Sequence, residues 1–121
     1  MADAVFSACF LNTCLRHCET VRMANFSPTV NTRGAIFTHP AGLVLRPTWH
    51  VFKLYEQIAG ADVVDSWCPD SGSFAVSDAG ATVVVPNLDV VAAARGAEVL
   101  VCLANRSPDT AVAVEIEVRG G

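Results

Sequence analysis

The sequence predicts an α+β chain in which a helix, a short strand and a second helix precede a series of Val-rich antiparallel strands. Three observations predict it. Apolar residues recur at three- and four-residue steps over residues 3–19 and again over 49–58. Beyond Gly60 the apolar period shortens from about 3.6 to about 2. From there on, short valine runs alternate with Pro, Gly, Asp, Asn and Ser. The change at Gly60 divides the 121 residues into two parts, 1–60 and 61–121. Hydrophobic residues make up 52% and charged residues only 17%, too much apolar material and too little charge for disorder, so the chain must bury surface against itself or against something else.

In the first helix, Val5, Phe6, Cys9, Phe10 and Thr13 set the spacing from Asp3 to about Glu19. Asp3 is the expected N-cap, and Arg16 near the last turn suits the negative end of the helix dipole. The apolar set runs round most of the cylinder, so burial on more than one side is expected. Residues 20–25 read as a short buried strand, broken by Ser27-Pro28 and followed by a turn at Asn31–Gly34. Ala35–Thr38 and Leu43–Arg46 form a hairpin around His39-Pro40-Ala41-Gly42. Thr48 is the natural N-cap of a second helix carrying Trp49, Phe52 and Tyr55, stopped by Gly60. Strands are expected at 63–64, 74–76, 82–85, 98–103 and 111–118. The last puts Val112, Val114, Ile116 and Val118 on one face, and its hairpin with the strand before it would turn at Asn105–Asp109. Residues 61–121 therefore resemble part of a β-sandwich or jelly roll.

A net charge of −4 is the wrong sign for a surface that neutralises phosphates, so neither nucleic acid nor an anionic membrane is an expected partner. No apolar run reaches the roughly 18 residues of a membrane span. Asp3 stands where a secretory leader would carry Lys or Arg. Five cysteines, Cys9, Cys14, Cys18, Cys68 and Cys102, form an odd set without a disulfide framework. A soluble protein of the reducing cytoplasm is the expectation, with no cofactor.

Possible chemistry is sparse. Cys14 and Cys18 lie one helical turn apart beside His17, but no C-x-x-C pair completes a tetrahedral metal site, and buried thiols are the better reading. Glu115 and Glu117 share one face of the last expected strand, as a glycosidase pair would, yet that face alternates outward toward water. Trp49, His50 and Tyr55 could stack on a sugar, although their helical spacing fits core packing better. No catalytic residue and no metal site is assigned.

The run Met23-Ala-Asn-Phe-Ser-Pro-Thr-Val-Asn31, then Ala35-Ile-Phe-Thr38, then Pro47-Thr-Trp-His-Val-Phe-Lys-Leu-Tyr-Glu56, resembles the C-terminal region of the α-L-arabinofuranosidases of glycoside hydrolase family 51. The resemblance is good over residues 3–58 and looser beyond. It implies a retaining enzyme that releases terminal arabinofuranosyl groups from arabinoxylan and arabinan. Residues 1–60 would then be the end of a (β/α)₈ barrel and residues 61–121 part of its C-terminal β-sandwich. The partners implied are the remainder of the parent glycosidase and, in the whole enzyme, an arabinose-containing oligosaccharide. No glutamate here matches the family's acid/base or nucleophile, so this portion would be inactive alone. Where the family commonly carries Ala-Gln, this chain has Ser27-Pro28. Asn25 and Ser27 are the positions left near the substrate. Uncovered barrel edges would favour a homo-oligomer. A stand-alone carbohydrate-binding or assembly module is the alternative.

Overall fold

The computed structural model describes residues 2–120. Helix α1 (Ala2–Arg16) leads through a turn and a largely irregular stretch to a hairpin of β1 (Ile36–His39) and β2 (Gly42–Leu45). Helix α2 (Pro47–Tyr55) follows, ending in a 3₁₀ turn at Glu56–Ile58. The remaining strands are β3 (Asp62–Val64), β4 (Ser73–Asp78), β5 (Ala81–Pro86), β6 (Leu88–Arg95) and β7 (Glu98–Asn105). The chain is α+β, as the sequence predicts. Its strands form three antiparallel sheets: the hairpins β1-β2 and β4-β5, and a sheet in the order β3-β6-β7.

Local chemistry sets the helix ends. Asp3 falls inside the first turn of α1 instead of capping it, where its charge still favours the dipole, and Arg16 sits in the last turn. The helix stops there and not at Glu19, residues 17–20 forming turns in which the His17 N–H is shared between the carbonyls of Thr13 and Cys14. Pro47 opens α2 with Arg46 at the N-cap, because a fixed φ and a missing N–H suit the first helical position; Thr48, expected as the cap, lies within the first turn and is buried. Residues 20–25 form no strand, since nothing among the described residues supplies a ladder beside them; a single parallel bridge joins Val30 to Ile36 instead. At Gly34 a Cβ would fall 2.6 Å from the Thr29 carbonyl oxygen, so only glycine permits this loop to fold back.

The core lies where α1 packs against α2 and against one face of β6 and β7. Val91 (1% exposed) and Ala93 (0%) are its floor, with Leu11 and Ile58 above. Strand β6 is an element that sequence reading overlooks. Its partner is β7, in a register running from Leu88↔Asn105 to Arg95↔Glu98. That leaves the two-residue turn Gly96-Ala97, with Gly96 at φ 60 as such turns require. The expected hairpin over 98–118 is therefore replaced by one over 88–105. Residues 106–120 form no strand, and the expected 111–118 strand is absent: its alternation of side chains is intact, but no second segment among the described residues pairs with it as a ladder.

Much apolar surface stays open. The accessible surface is 8899 Å² for 12.8 kDa. A self-contained globule of that mass exposes about 6,300 Å². Within this chain α1 is buried on one side, not several: Ser7, Leu11 and Asn12 face inward while Phe6 and Phe10 stand 72% and 52% exposed, stacked on each other at 6.5 Å.

Candidate functional site

Between the two helices, residues 24–26 cross the surface with a hollow on either side. One, of about 450 Å³, is bounded by Trp49, Phe52, Lys53 and Glu56; the other, of about 510 Å³, by α1, Arg33, Arg46 and Thr48. Asn25 lines both. Phe26 forms the partition and packs on Phe52 with ring centroids 5.3 Å apart. Ser27 is exposed, precedes a cis bond to Pro28, and borders neither hollow. Of the two residues singled out from the sequence, Asn25 thus reaches a concave surface and Ser27 does not.

A buried polar tie joins the two helices to the three-stranded sheet. Asn12, fully buried in mid-helix, donates from Nδ2 to Asp89 Oδ2 at 3.1 Å and lies 3.3 Å from the Asp89 carbonyl oxygen. Its Oδ1 accepts from the Tyr55 hydroxyl, which also lies 3.1 Å from the Ala8 carbonyl oxygen. Arg16 closes the group from the rim, with Nη1 3.0 Å from Asp89 Oδ1 and 3.1 Å from the Val90 carbonyl oxygen. One network therefore joins α1, α2 and β6, and every buried side-chain N and O among the described residues is satisfied. Burial pushes the Tyr55 hydroxyl well above its ordinary range, helped by the neighbouring Cys102 and Asp89. Burial likewise raises Cys9, reinforced by the Asp89 charge, and raises Cys102 against the opposing hydrogen bond from Tyr55. Thiols held protonated in this way are poor nucleophiles, so the cluster is suited to holding elements together and not to covalent chemistry.

Other candidates from the sequence are dispersed. Cys14 and Cys18 are half-buried and border a groove with Leu15 and Ile58, and no group of three or more His, Cys, Asp or Glu among the described residues could hold a metal. Glu115 and Glu117 are exposed, and Glu117 pairs with Arg119 at 3.0 Å. Trp49 and His50 meet edge to face at 5.1 Å, while Tyr55 turns inward to the network, so the three form no common platform. Sequence reading missed Asn12, Asp89 and Arg106. Arg106 clamps the bend between β5 and β6, donating from Nε to the Pro86 carbonyl at 2.9 Å and from Nη2 to that of Leu88 at 3.0 Å. The available signal for Asn12 was an amide in mid-helix, where it either faces solvent or finds a buried partner.

Fold and site together define an α+β domain with a polar tie at its centre, much open apolar surface and, among the described residues, no buried glutamate. The family of α-L-arabinofuranosidase C-terminal domains matches residues 1–121, and the chain belongs to that family. A C-terminal domain implies a parent enzyme, in this family a glycosidase. No curated protein and no solved structure matches the chain.

Proposed function

We propose that the chain is the C-terminal portion of a retaining, family 51 α-L-arabinofuranosidase, giving structural support to a catalytic barrel and inactive alone. In this reading residues 1–60 contribute the end of the (β/α)₈ barrel and residues 61–121 part of the β-sandwich. The observation that carries it is the family match over residues 1–121. The open faces support it, since Phe6 and Phe10 on α1 stay 72% and 52% exposed and a barrel neighbour would cover them. Retaining hydrolysis needs a nucleophile and a proton donor about 5 to 5.5 Å apart, one of them desolvated. Here Glu56, Glu98 and Glu117 are spent on surface ion pairs with Lys53, Arg95 and Arg119. Asn25, on its concave surface, is the residue assigned to the substrate side, for a terminal arabinofuranosyl group of arabinan or arabinoxylan; Ser27 is its weaker companion. A cytoplasmic setting and self-association through the open faces belong to the same reading.

The test is hydrolysis of 4-nitrophenyl α-L-arabinofuranoside. The purified chain releases no 4-nitrophenol above the buffer blank, and enzyme-level release by the chain alone would overturn the reading. A second reading, a carbohydrate-binding or assembly module, rests on Trp67, which is 85% exposed beside the outer face of the three-stranded sheet. Saturable heat on calorimetric titration with arabinoxylan, lost in Trp67→Ala, would favour it over the first.

A further inference from the structure

The chain holds eight Lys and Arg side chains. Arg16, Lys53, Arg95 and Arg119 are ion-paired, and Arg106 is held by backbone carbonyls. Arg22, Arg33 and Arg46 have no ion pair and no side-chain hydrogen bond among the described residues; Arg46 only stacks, its guanidinium 5.6 Å from the centre of the Phe37 ring. Arg33 and Arg46 line the same 510 Å³ hollow. In a chain of net charge −4 carboxylates outnumber cations, so two free guanidiniums at one concave surface run against composition.

A second, independent observation lies on the floor of that hollow. Thr48 is 6% exposed and borders the hollow, and its hydroxyl, whose oxygen is not itself fully buried, has no hydrogen-bond partner among the described residues. It sits in the first turn of α2, whose N-cap residue Arg46 supplies no side-chain acceptor. The positive dipole end of that turn adds to the guanidiniums, its Trp49 N–H being already held by the Arg46 carbonyl at 2.9 Å. The rings of Phe26 and Phe52 form the apolar wall. Asp3 contributes the one carboxylate in the lining.

We propose that this hollow binds a small organic carboxylate carrying a flat apolar ring. The two guanidiniums take the carboxylate, the Thr48 hydroxyl donates to it, and the ring lies against Phe26 and Phe52. Inorganic phosphate would leave the phenylalanine wall unused, and a neutral ring would leave the guanidiniums unused. The volume falls within the range of small-molecule sites, about 300 to 1,000 Å³. The inference concerns this chain with Phe6 and Phe10, which also line the hollow, uncovered, and does not rest on the parent enzyme assigned above.

The test is a titration of the full chain with sodium cinnamate and with neutral cinnamide, followed by amide chemical shifts. Cinnamate saturates with shifts at Thr48, and cinnamide binds about tenfold more weakly because the charge-assisted bonds are gone. Arg33→Ala and Arg46→Ala each weaken cinnamate about tenfold, and Thr48→Val about threefold. Asp3→Asn tightens it about threefold by removing the opposing charge. Equal binding of acid and amide, or no saturation by about 10 mM, or shifts that leave Thr48 unmoved, would overturn the proposal. The acid–amide comparison uses the unmutated chain and so holds even where a variant fails to fold, and neither ligand reports on arabinofuranoside hydrolysis.

Discussion

Strands β5 and β6 have opposite fates for reasons that composition does not contain. β5, Ala-Thr-Val-Val-Val-Pro, is the richer in β-branched residues; β6, Leu-Asp-Val-Val-Ala-Ala-Ala-Arg, is half alanine or leucine. Yet Val83 and Val84 of β5 are 58% and 66% exposed, while Val91 and Ala93 of β6 are 1% and 0%. β5 pairs only with β4, as an isolated hairpin. β6 is the central strand of three and carries α1 on one face. Small side chains let the helix approach, and Asp89 within β6 is tolerated because Asn12 and Arg16 satisfy it. Burial follows from what lies on top of a strand, and propensity alone does not decide it.

The comparison breaks most visibly at Asp89. Asp89→Ala leaves Asn12 without its acceptor and Arg16 without its partner, and about 3 kcal/mol of stability is expected to go, read as a shift of the urea midpoint. Asp78→Ala at the end of β4 is expected to stay within about 0.5 kcal/mol. Next is packing: Val91→Ala should cost about 2 kcal/mol, transfer plus cavity, against about 0.5 kcal/mol or less for Val84→Ala. Equal effects at the two valines would erase the distinction between the strands. Tyr55→Phe removes one buried hydroxyl bond and should cost about 1 kcal/mol at neutral pH. It also sharpens a pH dependence. Folding raises Tyr55 above its ordinary 10.0 and Cys9 and Cys102 above their ordinary 9.0. The unfolded chain therefore releases these protons first, so stability is whole below about pH 9 and falls as pH rises beyond it. Urea melts between pH 8 and about 11 should show that fall, shallower in Tyr55→Phe. The smallest effect belongs to the β4-β5 turn, where Ala79 sits at φ 48. Ala79→Gly relieves that conformation and should gain about 0.5 kcal/mol by thermal melting.

How far the sequence disclosed this arrangement varies by element. Both helices and the β1-β2 hairpin were legible, because a 3.6-residue period and a Pro-Ala-Gly turn are local signals. β6 was not, since an alanine-rich run with an acid in it is neither alternating nor β-branched, and its strand character comes from neighbours on both sides. Residues 111–118 failed in the opposite sense: they alternate cleanly, but an alternating segment becomes a strand only when another segment completes its ladder. Asn25, named from its motif, borders the hollow, whereas Arg33, Arg46 and Thr48 lie far enough apart in sequence that only the fold gathers them there.

Native-state hydrogen exchange on the full chain tests most directly whether one covered core coexists with open, uncovered elements. Amides of β6 and of the middle of α1 should be protected about a thousandfold or more, while those of β4, β5 and residues 111–118 exchange within about tenfold of free peptide rates. Protection of residues 111–118 equal to that of β6 would contradict the division of the molecule into a finished centre and open faces.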